Sequence, residues 1–197
     1  MDDLTNLSTS SSVTTYWWRT MLANVGAAGQ TLIQLFKLRV VLLLLIAAAG
    51  GAVIGAAGWP GGKELLILMI TGGLSASGAS ALNQYLERER DSQMTRTRQR
   101  PFPSGQITNP NAVLLTSVVM IAMGVFGAAI FNPALAFFNA LGAAIYVGIY
   151  TLWLKPRSVV NIVIGGAAGS YAVLSGGAAA GAWNEPSTLA LAGLLFL

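Results

Sequence analysis

The sequence predicts an all-α, polytopic transmembrane helical bundle. Three observations carry that reading. The chain of 197 residues is 54% hydrophobic and only 9% charged, where a soluble domain carries about 25% charge. Its mean hydropathy is +0.65. Its apolar residues also fall into runs close to the roughly 20 residues that a helix needs to cross the hydrocarbon core.

Residues 1–34 open the chain as a polar tail and interfacial segment. "MDDLTNLSTSSSVTTYWW" begins with Asp2 and Asp3 and continues through Ser and Thr, unlike a signal peptide, which opens basic and turns apolar. Trp17, Trp18 and Arg19 suit an anchor at headgroup level. Residues 35–197 form the transmembrane domain. The expected spans are Val40 to Trp59, Leu65 to Leu86, about Ala112 to Phe131, about Ala134 to Leu154 and about Val159 to Gly181. Asn132 and Pro133 make the turn between the third and fourth. A sixth run, "TLALAGLLFL", starts at Thr188. Ten helical residues rise only ~15 Å, about half the core. The expectation is therefore five full spans plus an incomplete sixth, with the cavity completed by a missing C-terminal half or a partner chain.

Charge alternates between the loops. Lys37 and Arg39 precede the first span, five arginines follow the second, and Lys155 and Arg157 follow the fourth; the opposite loops carry Lys63, Glu64 and Glu185. The positive-inside rule puts the N-terminus and the charged loops in the cytoplasm, of a cell (inner) membrane protein. The net charge of +4 sits in these short loops, so it does not argue for nucleic acid. Cysteine and histidine are both absent. That excludes disulfides, thiolate metal sites, the usual zinc and haem ligands, and the usual general base. Chemistry must run on carboxylates, Arg, Lys, Tyr and amides.

The small-residue stretches "GGLSASGAS" and "GGAAGSYAVLSGGAAAG" are read first as surfaces for close helix packing in lipid, and second as the wall of a cavity.

One stretch concentrates the charge. "NQYLERERDSQMTRTRQRP", Asn83 to Pro101, holds three of the seven acidic residues and five of the eleven basic ones, with both signs interleaved. If the second span continues as a helix, Asn83, Glu87 and Asp91 recur at i, i+4 and i+8 and share one face, each step rising ~6 Å. A carboxamide and two carboxylates are oxygen ligands of the kind Mg²⁺ takes. Arginines downstream match phosphate oxygens bidentately. Anions for a metal and cations for phosphates together suit a Mg²⁺–diphosphate. The alternative is a basic juxtamembrane loop that sets topology, with solvated Glu–Arg pairs; topology, however, needs no carboxylates.

"NQYLERERDSQMTRTRQRPFPSGQI" resembles the first Asp-rich motif of the UbiA superfamily of membrane prenyltransferases, Asn-x-x-x-Asp-x-x-x-Asp. "MTRTRQRPFPSG" is similar to the pattern Met-x-Arg-Thr-x-x-Arg-Pro-x-Pro-x-Gly of its protoheme IX farnesyltransferase branch. "YTLWLKPRSVVNIVIGGAAGS", Tyr150 to Ser170, resembles the next stretch of that branch. The likeness runs from about Leu35 to the end of the chain. It implies that Asn83, Glu87 and Asp91 are catalytic and metal-binding, with Mg²⁺ as cofactor, and that Arg96, Arg100 and Lys155 bind substrate. It also implies a helical bundle around a central cavity, farnesyl diphosphate and haem b as substrates, and haem O as product. Departures from the pattern are Glu87 for the middle Asp, Pro156 for an Arg, and "SYAVLSGG" where a Pro-rich stretch stands; a second acidic motif is absent from this chain.

Tyr150, with Tyr146, is read as substrate-binding through a ring face that steadies a cation, or as part of an interfacial belt. Arg98 would touch phosphate or only solvent, Asn161 would reach the cavity or cap the fifth helix, and Trp153 anchors at the interface. Two further functions stay open: a non-catalytic structural or assembly subunit of a membrane complex, and a prenyltransferase with a quinone or chlorophyll-type acceptor. A transporter fits poorly, because the spans carry almost no charge.

Overall fold

The computed structural model describes residues 26, 28–154 and 161–196, with side chains in the last range from residue 166 onward. Among the described residues seven helices follow one another: α1 (residues 28–35), α2 (Leu38–Gly55), α3 (Gly62–Gln93), α4 (Pro110–Phe131), α5 (Pro133–Ala144), α6 (Asn161–Ala179) and α7 (Pro186–Leu194). α5 widens into a π-helical segment, Ile145–Leu154. Among the described residues four stretches are long and apolar enough to cross a membrane: Leu38–Gly55, Gly62–Gln93, Pro110–Phe131 and Pro133–Leu154. They match the first four expected spans. The fifth expected span forms α6, only part of whose side chains is described, and it is not among these four. The sixth run forms the nine-residue α7. The aromatic anchor at Trp17 and Trp18 lies outside the described residues.

The bundle faces lipid with large apolar side chains and buries, beside an apolar core that includes Leu68, Leu135 and Phe138, a set of polar ones. α3 buries Thr71, Ser75, Ser77, Ser80, Asn83, Gln84, Glu87 and Asp91. α2 and α4 expose Leu42, Leu43, Ile46, Leu115, Phe126 and Ile130. In the apolar part of α3 44% of residues are buried, against 22% in α2 and 17% in α4, which makes α3 the central helix.

Chain neighbours are not always packing neighbours. α3 packs most closely on α4, and α2 on α6 rather than on α3. The α2–α6 crossing depends on small residues: a Cβ added to Gly176 would lie on the Ala48 carbonyl, and one added to Gly51 on Val173.

Helix ends follow local chemistry. Asn109 caps α4, its Oδ1 accepting from Ala112 N at 3.2 Å, with Pro110 at the first turn; both residue types suit those positions. Asn132 does more. Its Oδ1 accepts from Leu135 N at 3.1 Å, capping α5, and its Nδ2 donates to Ala178 O of α6 at 2.7 Å. Asn132→Ala loses a cap and leaves a carbonyl without its donor. It is expected to lower stability by about 1–2 kcal/mol, read as a lower midpoint of thermal unfolding in detergent.

Candidate active site

The site is built on the far end of α3. This helix has 32 residues, so it is ~48 Å long against a hydrocarbon core of ~30 Å. The expected span ended at Leu86, because hydropathy marks only the part within lipid. Leu, Glu, Arg and Gln are good helix formers, and they carry the helix on to Gln93. The i, i+4, i+8 face therefore exists. Asn83, Glu87 and Asp91 all point inward, with exposures of 0%, 4% and 5%, whereas Glu89 and Arg90 on the other side are exposed.

The loop after α3 folds back onto this face. Buried Thr97 donates through Oγ1 to the Asp91 carbonyl at 3.0 Å. Arg100 N then bonds Thr97 O at 3.0 Å. Pro101 is fully buried behind it, Phe102 stands edge-on to Tyr85 with centroids 6.0 Å apart, and Gly105 turns the chain at φ 75°. These contacts deliver the Arg100 guanidinium to the carboxylates. Its Nη1 lies 2.7 Å from Asp91 Oδ2 and 3.6 Å from Glu87 Oε2.

A second layer lies deeper. Asn83 Nδ2 donates to Thr151 Oγ1 at 2.8 Å, and Thr151 Oγ1 donates to Tyr146 O at 2.8 Å. This leaves Asn83 Oδ1 as acceptor for Lys37 Nζ, at 3.2 Å. The same ammonium donates to Tyr146 OH at 3.2 Å and sits 6.0 Å from that ring's centroid. In the π-helical segment Tyr146 and Tyr150 stack face to face, 5.5 Å apart with planes 8° from parallel.

Beneath this layer opens a cavity of about 470 Å³, walled by α2, α3, α5, the π segment and α6. Val41, Leu44, Leu68 and Phe138 make it apolar, while Lys37, Tyr146 and Tyr150 border it. Its size falls within the range of about 300–1,000 Å³ usual for small-molecule sites. A smaller pocket of about 160 Å³ lies beside Glu87, Glu89, Arg90 and Thr151.

The donor set fits a hard divalent cation in one place. Asn83 and Asp91 are ~12 Å apart along the helix axis, so one ion at ~2.0–2.1 Å cannot take all three residues. Glu87 and Asp91, one turn apart, are the pair that would share one, since a single Arg100 nitrogen lies within 4 Å of both carboxylates. Among the described residues no group of three or more His, Cys, Asp or Glu converges as a complete cage. Mg²⁺ seldom needs such a cage, since it commonly keeps waters and substrate phosphates as ligands.

Of the residues named from sequence, Asn83, Glu87, Asp91 and Arg100 come together at the end of α3, and Tyr150 lines the cavity. Arg96 and Arg98 are exposed on the loop. Lys155 and Pro156 lie outside the described residues, and so does the side chain of Asn161. Sequence reasoning missed Thr97, Thr151 and Lys37 as site residues. Thr97 had a signal, being the Thr of the Arg-Thr-x-x-Arg-Pro run. Lys37 was read only as a topology charge.

Fold and site together define an integral membrane protein with an apolar cavity and, at the end of its central helix, two buried carboxylates paired with an arginine. The chain belongs to the UbiA prenyltransferase family, which it matches over residues 43–197. It is 40% identical over 172 residues to protoheme IX farnesyltransferase 2 of Paramagnetospirillum magneticum, covering 85% of this chain and 59% of that protein. It is 38% identical over 157 residues to protoheme IX farnesyltransferase of Clavibacter michiganensis, covering 79% and 51%. A third relative, protoheme IX farnesyltransferase of Leptospira biflexa, is 41% identical over 148 residues, covering 74% and 51%. The chain thus spans about half the length of these curated relatives. No solved structure matches it significantly.

Proposed function

We propose that this protein takes part in the Mg²⁺-dependent transfer of a farnesyl group from farnesyl diphosphate to a vinyl group of haem b, giving haem O. The observation that carries the reading is the Glu87–Asp91–Arg100 cluster, on the same face of α3 as Asn83, whose Oδ1 accepts from the cavity-lining Lys37. The names of the relatives supply the farnesyl group and the haem acceptor, and the charged cluster suggests the diphosphate.

Glu87 and Asp91 would hold the metal, which supplies electrostatic stabilisation of the diphosphate. Arg100, once it leaves the carboxylates, and exposed Arg96 would take phosphate oxygens. The apolar cavity would hold the isoprenoid and keep bulk water from an allylic cation. Tyr146 and Tyr150 would present ring faces towards that cation. In the balanced step the carbon 1–oxygen bond of farnesyl diphosphate breaks and its electron pair leaves with the diphosphate. The vinyl π pair then forms the new carbon–carbon bond, and water adds to the resulting cation with loss of a proton.

The test is conversion of haem b to haem O with farnesyl diphosphate and Mg²⁺, in membranes carrying the full-length gene product, beside Asp91→Ala. The wild type is expected to turn over, and the variant to lose activity by about 100-fold or more, the scale of losing a principal electrostatic group. Pyrophosphate release without haem O would move the reading to a quinone or chlorophyll-type acceptor. No release by a folded wild type would favour a structural subunit.

The charged end is taken to face the cytoplasm of the cell membrane, by the asymmetry of Lys and Arg. Residues 1–197 carry no cysteine, so Ser92→Cys at an exposed position of α3 adds a thiol whose labelling is read against the parent protein. A membrane-impermeant maleimide is expected to label it in inside-out vesicles and not in intact cells; the reverse pattern would invert the topology.

A further inference from the structure

We infer that Lys37 is a catalytic residue of this site, its ammonium donating a hydrogen bond to the oxygen that departs from carbon 1 of the prenyl diphosphate. The inference rests on the prenyl-transfer reading above and adds a residue that motif and topology do not assign.

Position is the first argument. The site has an order of depth along α3. Arg100 meets Asp91 and Glu87 at the outer layer, two turns and one turn beyond Asn83. Lys37 meets Asn83 at the inner layer and itself lines the cavity. An amphiphile with its chain in the cavity and its head among the arginines must place the chain–head junction beside the inner cation. That junction is the bond to be broken.

The lysine is also held in place by an unusual backbone and its neighbours. Lys37 has φ 46° and ψ 47°, in the left-handed region. For a residue with a Cβ such a conformation costs on the order of 1–3 kcal/mol and persists where surroundings over-determine it. Here they do. Buried Gln84 donates through Nε2 to Gln34 O at 2.7 Å and Leu35 O at 2.8 Å, and buried Ser80 donates to Leu35 O at 3.5 Å. Leu35 is itself buried. The end of α1 is thus pinned to α3, and the next turn is bent so that the Lys37 side chain runs inward to Asn83 and Tyr146. A lysine serving only topology would need none of this and would extend to the headgroups.

The chemistry follows. As the carbon–oxygen bond breaks, its electron pair stays on oxygen, where negative charge grows. A fixed N–H donor at that oxygen binds the transition state more strongly than the substrate, and needs no proton transfer. Lys37 should therefore govern the rate of the step more than the affinity for substrate.

The experiment uses the full-length gene product in membranes, with Lys37→Gly, Lys37→Met and Lys37→Arg. Glycine accepts the left-handed backbone without strain, so a defect in that variant belongs to the amine and not to the bend. Two quantities are read: the single-turnover rate of pyrophosphate release from farnesyl diphosphate with haem b and Mg²⁺, and the Kd for farnesyl thiolodiphosphate, which resists ionisation. The Gly and Met variants are expected to slow release by about 100-fold or more while Kd changes by less than about threefold, and Arg is expected to recover most of the rate. Release by Lys37→Gly within threefold of wild type would overturn the inference. So would a Kd that rises about 100-fold while the rate at saturating substrate stays within threefold of wild type, which would make Lys37 a ground-state contact. A wild type that releases no pyrophosphate would instead defeat the prenyl-transfer reading, and this inference with it; the wild-type arm keeps the two failures apart.

Discussion

Leucine in place of Gly176 is expected to leave almost no folded protein in the membrane. Gly176 stands on α6 where it crosses α2, and even a single Cβ there would lie on the Ala48 carbonyl. The obstacle is backbone, so no rotamer change relieves it. The helices must move apart, and α6 is the main packing partner of α2. Helix association in lipid rests on close packing rather than on hydrophobic expulsion from water, and separation forfeits that packing along the whole crossing. The expected loss exceeds about 4 kcal/mol, among the largest for a single substitution. Gly176→Ala should already cost about 1–3 kcal/mol by overpacking. Gly50→Ala is the control: it lies on α2 with nothing within 4 Å of the added carbon, and should be neutral or slightly stabilising. Size-exclusion profiles and thermal midpoints of detergent-extracted protein would check all three. A monodisperse, wild-type-like Gly176→Leu would show that the α2–α6 crossing is not as described.

Arg100→Gln is expected to destabilise the protein and to make its stability depend on a divalent cation. The guanidinium lies between two buried carboxylates while remaining one-quarter exposed itself. Removing one member of a buried ion cluster leaves uncompensated charge, at a cost of about 3–5 kcal/mol. The partial exposure of Arg100 puts the expectation at the lower end, about 3 kcal/mol. Two facing carboxylates then form a better cation site than in the wild type, where the arginine competes for the same oxygens. Saturating Mg²⁺, at about 100 times its Kd, would restore about 2.7 kcal/mol. Thermal midpoints measured with Mg²⁺ and with a chelator would test this. The variant should rise steeply with Mg²⁺ and the wild type much less. Equal responses would separate Arg100 from the cation's place, and a variant as stable as wild type without Mg²⁺ would remove the energetic argument for the cluster.

Much of this site was readable one helix at a time. Asn83, Glu87 and Asp91 share a face because the α-helix repeats every 3.6 residues, and that face survives in α3 with all three side chains buried. Asn132 and Pro133 were readable as a turn, since an Asn cap and a Pro in the first helical turn are local preferences. Lys37 was not readable. Its direction depends on Gln84 and Ser80, more than 40 residues away, and on a left-handed backbone that no local preference of lysine suggests. The pairing of Arg100 with Glu87 and Asp91 was likewise hidden. Sequence placed cations and anions in one stretch, but it is the folded loop, held by the Thr97–Asp91 hydrogen bond, buried Pro101 and the Phe102–Tyr85 contact, that makes them meet.

By itself, then, the sequence determined that this chain is helical and lives in lipid, where its first four apolar stretches lie, and which helix face carries Asn83, Glu87 and Asp91. Those properties depend on hydropathy and helical period, both local along the chain. Tertiary structure alone decided that α2 seats on α6, that a cavity of about 470 Å³ opens beneath Asn83, and that Lys37 and Arg100 reach opposite ends of one motif. These depend on shape complementarity and hydrogen bonds between residues far apart in the chain, and the order of residues does not encode such distances until the helices have packed.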